Sequence, residues 1–425
     1  PIALSILCIS GALNQSDIND AVFAGELALD GSLRPIRSAI ITAEVAKNQK
    51  IKSVYVPAQN AKQAALVTGI DVFPVENLKS LFLHLKKEKI IKPINRSSIK
   101  NTSLNHKSAP TIDDIYGQEQ AKRAIQIAVA GRHNILLSGP PGSGKTMLAK
   151  SLKNLLPALS EDEIVEVTKL HSLGEHTIIN NPIVDRPFRS PHHTASRASI
   201  IGGGSKVQPG EISLAHRGVL FLDELLEYPR TVLESLRQPL EDHEITVSRA
   251  NGKFNFPANF LLVATMNPCP CGFLGDPEKT CICSQNQIIN YQKRLSGPLL
   301  DRIDLTVSVS RVPHEKLLNT KMSTKSQQET FLSEIHKAYS IQRDRYKCSY
   351  KYNNDISSNS VDKITSISES AKTFLTNAAR KLDLSTRSYF KVIKVSRTIA
   401  DLEGSTSIEI PHIAESLQYR QINIG

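Results

Sequence analysis

The sequence contains no tryptophan, and aromatic residues make up only 5% of its 425 residues. A protein that holds nucleic acid mainly by stacking bases on aromatic rings is therefore not expected. No run of about 18 apolar residues occurs, which excludes a membrane-spanning helix. The apolar start, PIALSILCISGAL, lacks an initiator Met, a basic n-region and a small-residue cleavage site. It predicts a buried helix rather than a signal peptide, in a chain that begins inside a longer protein.

Positive charge is in excess, with a formal net charge of +11. The excess favours a polyanionic partner, and a nucleic acid would then be held through its phosphates. A solvated basic surface is the alternative. The length allows two or three domains. The cytoplasm is the default compartment for such a chain, and structural disulfides are not expected there.

The pattern of apolar residues predicts an α/β protein. Helix-like and strand-like runs alternate in residues 1–85, and residues 86–110 are basic, rich in Ser and Asn and typical of a linker. Denser alternation over 111–312 predicts a parallel sheet covered on both faces. From 313 to 425 the pattern is helical.

A phosphate-binding loop is predicted between the strand-like run NILLS and the helix-like run KTMLAKSL. The intervening GPPGSGKT fits G-x-x-x-x-G-K-[ST] in the context that this pattern requires. Backbone amides would surround the phosphates, Lys145 would reach the β and γ phosphates, and Thr146 would bind Mg²⁺. The alternative is a glycine-rich turn without a ligand. The predicted ATP contacts are Gly139, Pro140, Pro141, Gly142, Ser143, Gly144, Lys145 and Thr146.

A second apolar strand, GVLFLDE, ends in two acidic residues. Asp223 is predicted to hold Mg²⁺, and Glu224 to orient or deprotonate the attacking water. An acidic pair alone usually marks a solvated strand end, but this pair follows a buried strand and accompanies a phosphate loop. The strand in VATMNP ends with Asn267, which is suited to positioning the same water.

Longer motifs make the chain resemble the AAA+ ATPases of the magnesium-chelatase-like branch, most closely the ComM and YifB group. The resemblance rests on DDIYGQEQAKRAI, RPFRSPHHTAS, GGGSKVQPGEISLAHRGVLFLDEL, NPCPCG, RLSGPLLDRIDL and STRSYFKVIKVSRTIADL. It implies an AAA+ core with a parallel sheet, a C-terminal helical lid, and nucleotide contacts at Ile115 and Tyr116. It also implies a homo-oligomeric ring, usually a hexamer, with ATP at the subunit boundaries.

The same resemblance implies roles for two arginines. Arg302, in SGPLLDRIDL, matches the arginine finger that serves the neighbouring subunit's γ-phosphate; a salt bridge to Asp301 or Asp304 is the alternative. Arg387, in STRSYF, matches the lid arginine that senses nucleotide in its own subunit, and a solvated helix residue is the alternative.

The N-terminal stretch FAGELALDGSLRPIRSAII resembles the end of a Lon-type protease domain. No lysine stands where that family has its catalytic lysine. The resemblance therefore implies a partial, degenerate domain without peptidase activity.

Four of the six cysteines lie close together, in NPCPCGFLGDPEKTCICS. In a reducing compartment they predict a structural zinc site within an insert at 269–283. One residue separates the cysteines of each pair, whereas zinc knuckles usually have two, so reduced packing thiols are the alternative. The predicted ligands are Cys269, Cys271, Cys281 and Cys283.

Two segments are candidates for contacting DNA. EITVSRANGKFNFPANF reads as a hairpin with Arg249 and Lys253 beside its Asn-Gly turn. In the resembling family such a hairpin points into the ring channel, although a solvated charged turn is the alternative. The segment RPFRSPHHTASRASIIGGGSK is a candidate for a second channel loop, through Arg186, Arg189, His192, His193, Arg197 and Lys206.

The leading functional interpretation is an ATP-driven DNA motor, which the resemblance implies to be a branch-migration helicase of natural transformation. A magnesium-chelatase motor subunit and a protein-remodelling AAA+ ATPase are the alternatives.

Overall fold

The computed structural model describes residues 1–94, 109–174, 181–204, 207–249, 252–312, 326–348, 351–357 and 360–420. The strands are β1 (Ala21–Phe23), β2 (Glu26–Leu27), β3 (Leu33–Arg34), β4 (Ser53–Pro57), β5 (Asp71–Val75), β6 (Ile135–Ser138), β7 (Phe188–Arg189), β8 (Gly202–Gly203), β9 (Gln208–Pro209), β10 (Val219–Leu222), β11 (Glu244–Arg249), β12 (Gly252–Pro257), β13 (Leu261–Met266) and β14 (Leu305–Ser308). The helices are α1 (Ile2–Ile9), α2 (Ala39–Asn48), α3 (Ala61–Ala64), α4 (Leu78–Leu85), α5 (Glu119–Gly131), α6 (Lys145–Ser151), α7 (Glu161–Ser172), α8 (Arg197–Ile201), α9 (Glu211–Leu214), α10 (Arg230–Ser235), α11 (Arg237–Asp242), α12 (Gln285–Gln292), α13 (Gly297–Leu300), α14 (Gln327–Tyr346), α15 (Val361–Ile364), α16 (Glu369–Lys381), α17 (Thr386–Leu402) and α18 (Ile410–Gln418). In the part of the chain so described, no helix has the length and apolar character needed to cross a membrane.

The chain forms two compact units that interleave along the sequence. The first contains Pro1–Leu104, Ala158–Asp185 and Gly204–Pro209, and the second contains the rest. The sequence predicted one continuous core over 111–312, whereas α7 belongs to the first unit because its Ile164 and Val167 pack in that unit's apolar core. Of the predicted linker at 86–110, residues 95–108 lie outside the described part of the chain.

The first unit contains a parallel sheet in the order β1–β4–β5. The predicted alternation of helix, strand and helix is confirmed at α2, β4 and α3. The predicted helix at the start of the chain is also present as α1, but the expectation that it is buried is wrong. Only Leu4 of α1 is buried, and Ile2, Ile6 and Ile9 are exposed. A helix of eight residues presents one narrow face to a core, and apolar residues placed around its whole circumference cannot all reach it.

The second unit is built on a five-stranded parallel sheet in the order β14–β6–β13–β10–β7. This confirms the predicted α/β class and parallel sheet. Every residue of β10 and β13 is buried, as expected for strands covered on both faces. Because β13 lies between β6 and β10, the segments that follow these three strands meet at one edge of the sheet, where ligands bind in open α/β folds.

Helices α14 to α18 follow the sheet, which confirms the predicted C-terminal helical region. Asp401 on α17 is an internal anchor, with a side chain that is completely buried. It accepts hydrogen bonds from Arg345 at 2.6 and 2.8 Å, from Arg397 at 3.0 Å, and from Asn353 at 2.9 Å. The carboxylate therefore joins α17 to α14 through Arg345, and it also binds Arg397 within α17.

We expect Asp401→Ala to destabilise the second unit by about 3–5 kcal/mol, because the substitution leaves two guanidinium groups partly buried without their counter-charge. Urea unfolding followed by circular dichroism measures the change. The matched control is Asp344→Ala, which removes an exposed carboxylate from α14 and should shift the unfolding free energy by less than about 0.5 kcal/mol. Equal midpoints for the two variants would contradict the anchoring role of Asp401.

Candidate active site

The loop between β6 and α6 has the backbone that a phosphate cradle requires. Gly142 and Gly144 have φ of +79° and +88°, a region that residues with a Cβ atom rarely adopt. At Gly139, a Cβ atom would lie 2.1 Å from the carbonyl oxygen of Val309. The Ser143 hydroxyl is buried, and none of the described residues forms a hydrogen bond with it. The predicted loop thus forms between strand and helix, and its glycines are sterically required.

Lys145 is folded back onto this loop. Its Nζ donates to the carbonyl oxygens of Gly139 at 2.6 Å and Pro140 at 2.8 Å, and it lies 3.3 Å from Oδ1 of Asn267. Burial lowers the pKa of Lys145, while Asp223 and Glu224 oppose this effect. The structure therefore brings together Lys145 and Asn267, which are 122 residues apart in the sequence.

Thr146 and Asp223 converge at the start of α6. The Thr146 hydroxyl lies 3.2 Å from the Asp223 carboxylate, which also accepts a hydrogen bond from the Thr265 hydroxyl at 2.5 Å. Hydroxyl and carboxylate oxygens are the ligands that Mg²⁺ prefers, so this pair fits the predicted metal. When bound, Mg²⁺ neutralises charge on the β and γ phosphate oxygens. The sequence did not predict a role for Thr265 at this site. The one feature of the sequence that could have indicated it is a hydroxyl side chain within the otherwise apolar strand LLVATM.

Glu224 lies beside these groups in a left-handed backbone conformation, with φ of +54°. Its N–H donates to the Thr265 hydroxyl at 3.0 Å, so Thr265 contacts both acidic residues. The Glu224 side chain is 55% exposed, and its carboxylate lies 3.8 Å from Nδ1 of His193. The sequence suggested a channel loop for His193, whereas the structure places it next to the predicted catalytic acid.

A cavity of about 590 Å³ opens beside the phosphate loop. Ile115 and Tyr116, the two nucleotide contacts implied by the resemblance, are both in its wall. The wall also includes residues that the sequence did not suggest, Met147, Glu278, Arg311 and Val312. The volume lies in the range of small-molecule sites.

Arg302 and Arg387 bind the same carboxylate, that of Glu241 on α11. Arg387 lies 2.5 Å from Glu241, and Arg302 forms the second ion pair. Neither alternative predicted for Arg302 is found: its acidic partner is Glu241, and Asp304 pairs with Lys391 at 2.7 Å. The two arginines therefore lie together, although the resemblance assigned them to the nucleotides of different subunits.

The predicted hairpin is confirmed: β11 and β12 are antiparallel, with Ser248 opposite Lys253 and Arg249 opposite Gly252. The side chain of Lys253 is exposed, and Asn251 lies outside the described residues.

The second candidate loop is less available to a ligand than the sequence suggested. Arg186 is buried and donates to the carbonyl oxygens of Pro157 and Arg217. Arg189 forms two hydrogen bonds of 2.6 Å with Glu211. These two arginines thus have structural partners inside the second unit. The rings of His192 and His193 lie 4.2 Å apart, Arg197 begins α8, and Lys206 lies outside the described part of the chain.

The four predicted zinc ligands converge. The sulfur of Cys269 lies 3.4 Å from that of Cys271 and 3.6 Å from that of Cys281, and all four sulfurs lie within 4.8 Å of one another. Four thiolates around Zn²⁺, each with a bond of about 2.3 Å, would be separated by about 3.8 Å. The donor set and its spacing thus fit a tetrahedral zinc site.

Comparison with known proteins gives consistent matches along the chain. Residues 111–317 match the family described as magnesium chelatase, subunit ChlI, residues 325–420 match its C-terminal family, and residues 1–60 match subunit ChlI of Mg-chelatase. Competence protein ComM of Haemophilus influenzae is 41% identical over 99% of this chain and 81% of its own length. Protein YifB of Escherichia coli is 36% identical over 100% of the chain and 81% of its own length. The magnesium-chelatase 67 kDa subunit of Heliobacterium mobile is 27% identical over 38% of this chain and 28% of its own length.

Proposed function

The chain belongs to the magnesium-chelatase ChlI family of AAA+ ATPases, within the group of ComM and YifB, and we propose that it is an ATP-hydrolysing ring motor that acts on DNA. The observation that carries the proposal is 41% identity over 99% of the chain to a competence protein. A branch-migration helicase, acting in the cytoplasm during natural transformation, is the specific activity we propose. We also propose that residues 1–85 form a partial, degenerate Lon-protease-like domain without peptidase activity.

The proposed hydrolysis uses residues that come from three adjacent strand ends. Lys145 binds the β and γ phosphates after leaving its carbonyl partners on the loop, and Thr146 and Asp223 hold Mg²⁺. Glu224 accepts a proton from the attacking water, and Asn267 positions that water. Support comes from the convergence of these groups at one edge of the sheet.

In the proposed ring, which we take to be a hexamer, each ATP lies at a boundary between subunits. Arg302 and Arg387 approach the γ-phosphate of the neighbouring subunit as a pair, because one carboxylate, Glu241, holds both. This revises the role implied by the resemblance for Arg387, which was to sense the nucleotide of its own subunit.

We propose that DNA passes through the ring channel and is held through its phosphates. The net charge of +11 and the exposed Lys253 beside the turn of the β11–β12 hairpin support this mode. Arg249, at the end of β11, is the second proposed contact.

We expect single-stranded or forked DNA to increase the ATPase rate of the full chain several-fold. The increase should fall as salt rises, since phosphate contacts release counterions. The measurement is steady-state ATP hydrolysis with each DNA, with Lys253→Ala as the test variant and Lys293→Ala as the matched control at another exposed position. Lys253→Ala should reduce the stimulation and the salt dependence, and the control should change neither.

An ATPase rate that no DNA changes would overturn the DNA proposal. Stimulation by a porphyrin-binding partner would then favour a chelatase motor subunit, and stimulation by unfolded protein would favour a remodelling ATPase. The chelatase alternative has weaker support, because the similarity to the 67 kDa chelatase subunit covers 38% of this chain.

A further inference from the structure

The cysteine-containing loop between β13 and α12, residues 267–284, lies directly against the phosphate loop. Gly272 has φ of +84°, and a Cβ atom there would lie 2.6 Å from Cδ of Pro141. The two loops are therefore in close contact at Gly272, one residue after a predicted zinc ligand.

Besides the contact between Lys145 and Asn267, Arg311 connects the same two loops by polar contacts. Arg311 donates to the carbonyl oxygen of Pro141 at 3.2 Å. On its other side it pairs with Asp276 at 3.1 Å and with Glu278 at 3.2 Å, and its guanidinium lies 5.6 Å from the centre of the Phe273 ring. The Asp276 side chain is fully buried. Every side-chain partner of Arg311 named here thus comes from the segment enclosed by the four cysteines.

This segment has little else to order it. Between Cys271 and Ser284 it contains no helix or strand, and most of its residues are exposed; Ile282 is 87% exposed. A polar loop of this kind buries too little apolar surface to offset the entropy of ordering its backbone. A bound metal supplies that energy, since structural Zn²⁺ contributes about 10–16 kcal/mol of apparent binding energy.

We propose that Cys269, Cys271, Cys281 and Cys283 bind Zn²⁺, and that the metal-ordered loop braces the nucleotide site through Arg311. The metal fixes Phe273, Asp276 and Glu278, these hold the guanidinium, and the guanidinium holds the Pro141 carbonyl and one wall of the 590 Å³ cavity. Zinc occupancy then sets the affinity for nucleotide. The inference rests on the proposed ATP site but not on DNA as the substrate.

The test measures zinc content and nucleotide affinity on the full chain. Mass spectrometry of the purified protein should find one zinc per chain. Removal of zinc with a chelator, followed by exchange into buffer that contains Mg²⁺ and no chelator, should weaken binding of a fluorescent ATP analogue by about tenfold or more, the size expected for losing a charge-assisted hydrogen bond. It should also open residues 271–284 to protease, and added Zn²⁺ should restore both properties.

Variants test whether zinc acts on the nucleotide site through Arg311. Arg311→Ala should retain zinc and lose the same affinity, and chelation of this variant should cause no further loss, because both changes break one chain of contacts. Arg343→Ala, at an exposed site on α14, should behave as the unmodified protein. Arg311→Lys is a second variant, which keeps the positive charge. Its affinity for the ATP analogue should lie between that of Arg311→Ala and that of the unmodified protein.

Three results would overturn the inference. The purified protein could contain no zinc and still bind the analogue tightly, or chelation could leave the affinity unchanged. In the third, the fold-losses in affinity caused by chelation and by Arg311→Ala would multiply when the two are combined. If nucleotide affinity depends on zinc as expected but DNA does not change the ATPase rate, only the proposed DNA function is contradicted. If the protein binds no nucleotide under any condition, the ATPase assignment itself is contradicted.

Discussion

Arg302→Ala is expected to lower the ATP turnover number by about 10³ to 10⁵, the range found when arginine fingers are removed from other NTPases. The Kd for ATP should change little, because Lys145 and the phosphate loop belong to the subunit that binds the nucleotide. Steady-state hydrolysis and binding of a fluorescent ATP analogue measure the two quantities. Arg380→Ala, at an exposed position on α16, is the control and should retain full turnover.

Mixed rings test which subunit each arginine serves. A Lys145→Ala subunit cannot use its own phosphate loop, but it still offers both arginines to a neighbour. Mixing it with Arg302→Ala subunits should restore hydrolysis at the boundaries where an intact loop meets an intact arginine. Because Arg302 and Arg387 share Glu241, Arg387→Ala should be rescued in the same way. If mixed rings rescue Arg302→Ala but not Arg387→Ala, then Arg387 acts on the nucleotide bound by its own subunit.

The loops and acids of the nucleotide site were predictable because their signals are local. Gly142, Gly144, Lys145 and Thr146 lie within one short stretch whose spacing reflects the backbone path around a phosphate, and the structure has that path. Asp223 follows a run of buried apolar residues. In both places, neighbours along the chain determine the conformation, so the pattern and the structure coincide.

The missed residues act through contacts between distant parts of the chain. Thr265 is 42 residues from the Asp223 that it contacts, Arg311 is 170 residues from Pro141, and Glu241 is 146 residues from Arg387. Each is an ordinary polar residue in its local sequence. Without the order of the strands, nothing distinguishes Arg311 from a solvated surface arginine.

The two compact units interleave along the chain in a way that the sequence pattern did not indicate, for a related reason. Helix α7 follows the phosphate-loop helix in the sequence and has the amphipathic pattern expected of a core helix. Its apolar face nevertheless packs with Val54 and Val56 in the core of the first unit. Periodicity shows that a helix face is buried, but it carries no information about the core in which that face is buried.

Glu224→Gln is the second substitution for which a large effect is expected, a fall in turnover of about 10² to 10⁴, the contribution of a well-placed general base. Glutamine has nearly the same shape and cannot accept the proton. The left-handed backbone at Glu224 and the hydrogen bond from its N–H to Thr265 do not depend on the carboxylate, so the site should remain assembled. ATP binding should persist, and the variant should accumulate rings filled with ATP, which native mass spectrometry can count.

Glu227→Gln is the matched control for that substitution. It removes a carboxylate of similar exposure three residues along the chain, one that contacts Tyr291 and Arg294 rather than the phosphate loop. Its turnover should stay within about twofold of the unmodified protein, as expected for a side chain that stabilises no transition state. Comparable losses in the two variants would mean that local charge, and not a proton acceptor at Glu224, controls hydrolysis. A large loss confined to Glu224→Gln, with ATP still bound, would identify the carboxylate of Glu224 as the base, since the amide keeps its size and polarity and lacks its proton affinity.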